Sequence, residues 1–226
     1  KDNNDSLPDD VVYPDVKVVH VINSCHLDIG FKKSSVDIVN LYFDHHLPKA
    51  ADVGNSLRAM PGAFTDDKLS FMFQSWIISM FFDCPTGLGL HCPNTTALKK
   101  VRSAVESGDI VWHAFPHNAQ LEIMGETMIH AGLQMTRDVD VLFTNQRVKT
   151  TLSQRDVPGM PRSIVSLLNR SGVSAISIGA NDGSTPPKLP STFVWEDLDS
   201  NTSILGLFNW PGYGHLGEQV VVPNFK

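Results

Sequence analysis

The chain of 226 residues is 42% hydrophobic and 19% charged, which is the composition of an ordinary globular protein. Its formal net charge of −6 offers no basic surface to a phosphate backbone, so nucleic acid is excluded as an expected partner. No stretch reaches the roughly 20 apolar residues that a spanning helix needs. The longest candidate, 71–82, is short and contains Gln74 and two serines, so no membrane span is predicted.

The first informative stretch is a strand followed by a histidine and an aspartate. Residues 1–16 are polar and without periodicity, so we expect them to form an irregular lead-in to one domain over 17–226. Val18–Ile22 predicts a buried strand, and the two-residue period of a strand places His26 and Asp28 on the same side. Imidazole and carboxylate groups are zinc ligands, so the pair is a candidate metal site. An ordinary hydrogen-bonded pair is the alternative that the spacing leaves open.

Helical and strand-like patterns alternate after this pair. Ser35 is predicted to cap a helix that Pro48 kinks or ends, and 54–68 is predicted to be a loop. Bulky residues over Leu69–Trp76 predict a second strand, which runs into a short helix over Ile77–Phe82. The apolar face of the first helix consists of Val36, Val39, Phe43 and Leu47.

The cysteines and the glycosylation sequons bear on the cellular compartment. Cys84 and Cys92 lie in a loop rich in proline and glycine and would form a disulfide under oxidising conditions, which leaves Cys25 over. Three reduced thiols are the alternative. Sequons begin at Asn4, Asn94, Asn169 and Asn201. Together these features favour the secretory pathway or an extracellular location.

The remaining pattern continues the alternation of strands and helices. It predicts first a helix capped by Thr95 or Thr96 and ended by Gly108, then a strand over Asp109–Trp112 and helices near 122–134 and 139–146. A strand over Val148–Leu152 and a helix from Pro161 to Gly172 come next. The last predicted elements are a strand over Val173–Ile178 and short strands near 193–195 and 203–208. Such alternation indicates an α/β fold with a mostly parallel sheet or barrel, in which functional side chains gather at the carboxyl ends of the strands. The residues at those places are His26 and Asp28, Gln74–Trp76, His113–Glu122, Asp156, and Asn181–Asp182.

Several short motifs follow one another along the chain in an order that indicates a known family. The first is Val18–Ile22 followed by His26-Leu27-Asp28, which resembles the opening H-x-D strand of glycoside hydrolase family 38, the retaining α-mannosidases, and looks closest to a branch that reads H-L-D-I-G-F. Arg155–Met160, with the apolar positions 164–168 behind it, is similar to the D-x-F-G-H segment that carries the nucleophilic aspartate in family members. Segments 108–116 and 184–187 also resemble the branch, so the resemblance covers most of 17–215.

The resemblance implies a seven-stranded β/α barrel that hydrolyses α-mannosides with zinc as its cofactor and a carbohydrate as its substrate. It makes His26, Asp28 and Asp156 zinc ligands, and Asp156 the nucleophile as well. The chain departs from the family pattern, since Met160 stands where a histidine is usual and Phe31 where a tryptophan is common. Only 70 of the 226 residues follow Asp156, so we expect a catalytic domain that is incomplete at its carboxyl-terminal end.

Other residues are candidates for contacts with the sugar. Tryptophan rings stack on sugar faces, and polar side chains near strand ends can line the pocket. The predicted substrate-binding residues are Trp76, His113, Glu122, Trp210 and His215, the last also a candidate fourth ligand. Two alternatives stay open. One is a metal-dependent carbohydrate deacetylase or amidohydrolase, for which His113 and His117 have the H-x-x-x-H spacing. The other is a catalytically incomplete family member that binds sugar without turnover.

Overall fold

The computed structural model describes residues 23–60, 70–143, 148–157, 159–181, 183, 185, 187–209 and 213. The predicted lead-in and the predicted strand Val18–Ile22 lie outside these residues, as do Trp210 and His215. The described residues form a mixed α/β fold in which strands and helices alternate for most of the chain.

The bounds of the elements follow the chain order. The strands are β1 (Asn23–Ser24), β2 (Phe71–Phe73), β3 (Ile110–Trp112), β4 (Thr151–Arg155), β5 (Ala175–Gly179), β6 (Thr192–Asp197) and β7 (Thr202–Asn209). The α-helices are α1 (Ser35–Leu41), α2 (Leu47–Arg58), α3 (Ser75–Phe82), α4 (Thr95–Glu106), α5 (Glu126–Asp140) and α6 (Ile164–Arg170). A π-helical turn, Tyr42–His46, joins α1 to α2, and a 3-10 turn, Leu121–Ile123, precedes α5.

The strands form two sheets. The first has the order β1-β2-β3 with all strands parallel, and the second has the order β4-β5-β7-β6 with β6 antiparallel to β7. The Ala114 N–H donates to the Thr151 carbonyl at 2.8 Å, which brings the end of β3 beside the start of β4. The resemblance implies a seven-stranded β/α barrel that is incomplete at its carboxyl-terminal end, whereas the described residues form two sheets of three and four strands and no closed barrel.

The joined sheets have a concave face that encloses a cavity of about 670 Å³. Six strands each contribute a lining side chain, namely Ser24, Met72, Val111, Ser153, Ser177 and Leu207. Alternate residues of β4 show why: Leu152 and Gln154 are buried on the helix side, which turns Thr151, Ser153 and Arg155 towards the cavity.

The helices cover the opposite faces of the sheets and bury two separate apolar clusters. The first cluster lies between β2, β3, the helices α1 to α4 and the end of α5, which contributes Val139; it includes Leu47, Phe73 and Phe81, all fully buried. The second lies between β4, β5, β7 and the helices α5 and α6 and includes Leu152 and Ile176.

Three predicted boundaries are wrong for identifiable physical reasons. Pro48 does not end its helix, because it lies in the first turn of α2, where an N–H is not needed. Gly54 belongs to α2 rather than to a loop, because it packs on the buried Asp109. The helices predicted near 122–134 and 139–146 are replaced by one helix, α5, which buries Leu133 in the second cluster and Val139 in the first and ends at Asp140.

Smaller shifts affect the caps and one strand. Ser34 and Asn94, each one residue before the predicted cap, accept the capping bonds from the N–H groups of Asp37 (3.2 Å) and Ala97 (2.9 Å). Strand β4 is Thr151–Arg155 rather than 148–152, which places Asp156 directly after the strand.

The disulfide between Cys84 and Cys92 is formed, as the loop composition predicts. It is compatible with an extracellular protein. No helix in the described part of the chain is long and apolar enough to cross a membrane.

Candidate functional site

The structure brings His26, Asp28 and Asp156 together at the carboxyl ends of β1 and β4. His26 Nε2 lies 2.9 Å from Asp28 Oδ1 and 3.9 Å from Asp156 Oδ2. The side chains are 28%, 49% and 39% exposed, respectively, so the cluster can be reached by a ligand. Both aspartates therefore have an oxygen near the same imidazole nitrogen, Nε2.

The contact between His26 and Asp156 spans two intervening strands. Strands β2 and β3 lie between β1 and β4, and neighbouring strands are about 4.8 Å apart, so a flat sheet would separate β1 from β4 by about 14 Å. His26 and Asp156 each lie beyond the end of their strand, and the reach of their side chains, together with the curvature that lets residues of six strands line one cavity, brings Nε2 and Oδ2 to 3.9 Å. The same curvature forms the concave face described above.

Asp156 is held in an unusual backbone conformation by the end of β5. Its φ of 65° lies in the left-handed region, which aspartate and asparagine tolerate better than most residues. Its N–H donates to the Gly179 carbonyl at 2.9 Å, which extends the β4–β5 ladder by one bond. Asn181 Nδ2 donates to Asp156 Oδ1 at 2.8 Å. One carboxylate oxygen is thus bound to Asn181, while the other faces His26.

The donor set and its spacing fit zinc in part. Ligands of a tetrahedral zinc ion with bonds of about 2.0–2.2 Å lie roughly 3.3 Å apart, and the distances of 2.9 and 3.9 Å fall on either side of that value. Small side-chain rotations would therefore make both contacts compatible with one ion. As they stand, the described residues include no group of three or more His, Cys, Asp or Glu side chains arranged to hold a metal.

The His26 ring has an aromatic neighbour besides the two carboxylates. It lies against Tyr213 with 5.1 Å between the ring centroids and an interplanar angle of 35°, and no described residue hydrogen-bonds its buried Nδ1 atom. Burial raises the pKa of the neighbouring Cys25 thiol to about 11, so this cysteine stays protonated at neutral pH. The Cys25 thiol donates to the Met72 carbonyl at 3.8 Å and packs against the first apolar cluster.

His113, one of the predicted substrate-binding residues, is buried with both ring nitrogens occupied. Its Nε2 lies 2.8 Å from Gln74 Oε1, and its Nδ1 accepts the Phe115 N–H at 3.2 Å. Burial lowers the pKa of His113 to about 3, so the ring is neutral. A ring with these two partners has no nitrogen left for a metal, which removes the support that the spacing of His113 and His117 gave to a deacetylase.

Two other predicted residues lie in the described part of the chain. Trp76 is the second residue of α3, and its side chain is half-buried against the first apolar cluster. Its backbone N–H donates to the Pro116 carbonyl at 3.2 Å. Glu122 is exposed, and its Oε2 lies 2.7 Å from the position that a Cβ on Gly159 would occupy. Glu122 thus packs on the loop that begins at Asp156. Trp210 and His215 lie outside the described residues.

Sequence reasoning left three neighbours of the cluster without a role. Asn181 stands among the polar residues at strand ends, but its bond to Asp156 depends on the register of β4 and β5. Arg155 donates to the Ser177 carbonyl and hydroxyl at 3.0 and 3.1 Å, and burial lowers its pKa. Arg155 also passes directly over Gly179, where a Cβ would lie 2.8 Å from its Cδ. Tyr213 belongs to none of the motifs, so only its position after β7 could have indicated that it lies near the cluster.

The fold of the described residues is shared by solved structures of carbohydrate-active enzymes. One is an α-mannosidase from Enterococcus faecalis V583, with a TM-score of 0.60 and 13% identity over 83% of this chain. Another is a 4-α-glucanotransferase from Thermococcus litoralis, with a TM-score of 0.51 and 11% identity over 83% of this chain.

These two likenesses concern the fold alone, because the identities are low. This chain covers 19% of the α-mannosidase chain and 26% of the glucanotransferase chain. The sequence matches no protein-family model and no curated protein.

Proposed function

We propose that this chain is part of a zinc-dependent retaining glycoside hydrolase of the α-mannosidase type, belonging to glycoside hydrolase family 38. The observation that carries the proposal is the approach of Asp28 and Asp156 to one nitrogen of His26 across a curved parallel sheet. These are the three residues that the sequence motifs single out. The fold shared with an α-mannosidase supports the proposal at the level of architecture.

The curvature of the sheet also supports a seven-stranded β/α barrel. Strands β1 and β6 are the outer strands of the joined sheets in the described residues, and residues of six strands line one cavity. A barrel would close this curvature and bring the strand ends, with their polar residues, around one pocket.

The residues would act on the substrate as follows. Asp156 would attack the anomeric carbon through a carboxylate oxygen, and the bond to the leaving oxygen would break as that oxygen takes up a proton from water. A second water molecule would later attack the same carbon and lose a proton to solvent, which would restore the Asp156 carboxylate and release the sugar with overall retention. His26, Asp28 and Asp156 would hold zinc, which would bind neighbouring sugar hydroxyls and offset negative charge. The side chains of the cluster are partly exposed, so a sugar can reach them. The contact with Tyr213 would help to hold the imidazole ring of His26 in place.

The metal role is tested by elemental analysis of the purified 226-residue protein. We expect one zinc ion per chain in the wild type and none in His26→Ala. The matched control is His91→Ala, because His91 Nδ1 forms a comparable pair with Asp44 at 2.7 Å on another part of the surface. Zinc content that is the same in His26→Ala and His91→Ala would refute the role of His26. A folded wild type without zinc would favour the catalytically incomplete alternative.

The nucleophile is tested with an aryl α-mannoside whose phenolate leaves without an added proton, so that no acid residue is needed. Asp156→Asn should lower turnover by about 10³-fold or more while sugar binding remains. A fluorinated mannosyl donor that slows the second step should add one sugar to the wild-type mass, and peptide mapping should find it on Asp156. A fully active Asp156→Asn variant, or a label on another residue, would exclude Asp156.

The proposed location follows from the disulfide and the sequons. We infer that the chain folds in the secretory pathway or outside the cell, where the Cys84–Cys92 bond is stable. The sequon residue Asn94 is exposed at the start of α4, so a glycan there would extend into solvent.

A further inference from the structure

We propose that Asn181 is a positioning residue that decides which oxygen of Asp156 faces His26. Asn181 Nδ2 donates to Asp156 Oδ1 at 2.8 Å, and the other oxygen, Oδ2, lies 3.9 Å from His26 Nε2. A hydrogen bond to a carboxylate is charge-assisted and therefore stronger than one between neutral groups. The two oxygens of Asp156 thus have different partners.

The end of β5 holds Asp156 at two points. The backbone bond from Asp156 N–H to the Gly179 carbonyl (2.9 Å) fixes the main chain, and Asn181, two residues further on, fixes the side chain. The backbone bond alone leaves the carboxylate free to turn, because the second side-chain torsion of aspartate is broad and roughly two-fold. The bond from Asn181 removes that freedom.

This inference rests on the proposed function, in which Asp156 is a ligand and the nucleophile. A carboxylate with both roles must present its oxygens in a fixed arrangement, since one atom that is misplaced by about 1 Å can lower the rate about 100-fold. Partners behind a metal ligand typically change metal affinity or activity by about 10- to 100-fold when they are lost. We expect changes of that size when Asn181 is replaced.

The test compares Asn181→Ala and Asn181→Asp with the wild type. Asn181→Asp keeps the shape of the side chain and replaces the donor by an acceptor, so it separates hydrogen bonding from space filling. The matched control is Asn209→Ala, which removes bonds to Ser177 Oγ (3.3 Å) and the Ile178 carbonyl (3.2 Å) at the end of the neighbouring strand β7. Thermal unfolding of each variant shows that it is folded.

Zinc affinity is measured by competition with a chelator, and the site geometry by the visible absorption of the cobalt-substituted protein. We expect both Asn181 variants to bind zinc about 10-fold more weakly and to shift the cobalt bands, and to lower kcat for the aryl mannoside 10- to 100-fold with KM little changed. Asn209→Ala should match the wild type in each measurement. Asn181→Asp with wild-type affinity and spectrum would overturn the proposal.

Crystal structures of the wild type and Asn181→Asp test the positioning without zinc or turnover. We expect the Asp156 carboxylate in Asn181→Asp to turn away from the orientation that it has in the wild type. An unchanged carboxylate would refute the proposal even in a protein that binds no metal. If the wild type lacks zinc and activity while the carboxylate turns in Asn181→Asp, the proposed function is refuted and the positioning role of Asn181 remains supported.

Discussion

The buried His113 should make the protein less stable as the pH falls below neutrality. In the folded chain its Nε2 faces Gln74 Oε1 and its Nδ1 accepts the Phe115 N–H. A proton added to Nδ1 would break the second contact and place a charge in the interior. Unfolding exposes the ring to water, where it takes up a proton near its ordinary pKa of 6.5.

The size of the effect follows from the two pKa values of His113. The folded pKa of about 3 lies below the unfolded value of 6.5, so between these limits the unfolded chain binds a proton that the folded chain does not. Stability is therefore complete above pH 6.5 and is lost as the pH falls. Between pH 7 and pH 5 the loss from this residue is about 2 kcal/mol.

The assay is urea unfolding at pH 7, 6 and 5 for the wild type, His113→Asn and His117→Asn. His113→Asn keeps an acceptor for the Phe115 N–H and should be less stable at pH 7, because a smaller side chain fills the space of the buried ring. Since asparagine cannot take up a proton, this variant should lose about 2 kcal/mol less than the wild type between pH 7 and pH 5. His117→Asn changes an exposed histidine nearby and should keep the wild-type slope. Equal slopes for wild type and His113→Asn would refute the reasoning.

Two further predictions concern stability. Replacing Cys84 and Cys92 by alanine should lower the free energy of unfolding by about 2.5 kcal/mol, because the unfolded chain is no longer restrained by a loop with a sequence separation of 8. A loss below about 1 kcal/mol in urea unfolding would contradict this stabilising role of the disulfide. Gly54→Ala should cost about 2 kcal/mol, because its Cβ would lie 2.8 Å from Cβ of the buried Asp109. Gly125→Ala, whose Cβ would have no described atom within 4 Å, should cost less than about 1 kcal/mol in the same denaturation series. Equal losses in the two glycine variants would contradict the packing argument.

The site residues show what the sequence can predict. Asp156 and Asn181 follow parallel strands, and the rule that polar residues gather at carboxyl ends places both at one edge without knowledge of the coordinates. His26 and Asp28 do contact each other, yet they lie beyond β1 rather than within a strand. The end of β1 depends on its partner Met72, which is far away in the sequence.

The errors arise where distant contacts outweigh local preference. Proline and glycine usually interrupt helices, but Pro48 follows a π-helical turn and Gly54 is required by the nearby Asp109 side chain. His113 illustrates the same point for function. Its spacing to His117 resembles a ligand pair, whereas its real partner, Gln74, is 39 residues away and cannot be found from a local pattern.

Helix α5 affects the cooperativity of the whole chain, because it contributes to both apolar clusters. It places Val139 in the first cluster and Ile129 and Leu133 in the second. The hydroxyl groups of Ser75 and Thr136, which lie 2.8 Å apart, also link α3 to α5. Local unfolding of either sheet would therefore remove contacts that the other sheet shares through α5, and the candidate site, with His26 after β1 and Asp156 after β4, exists only while both sheets are folded.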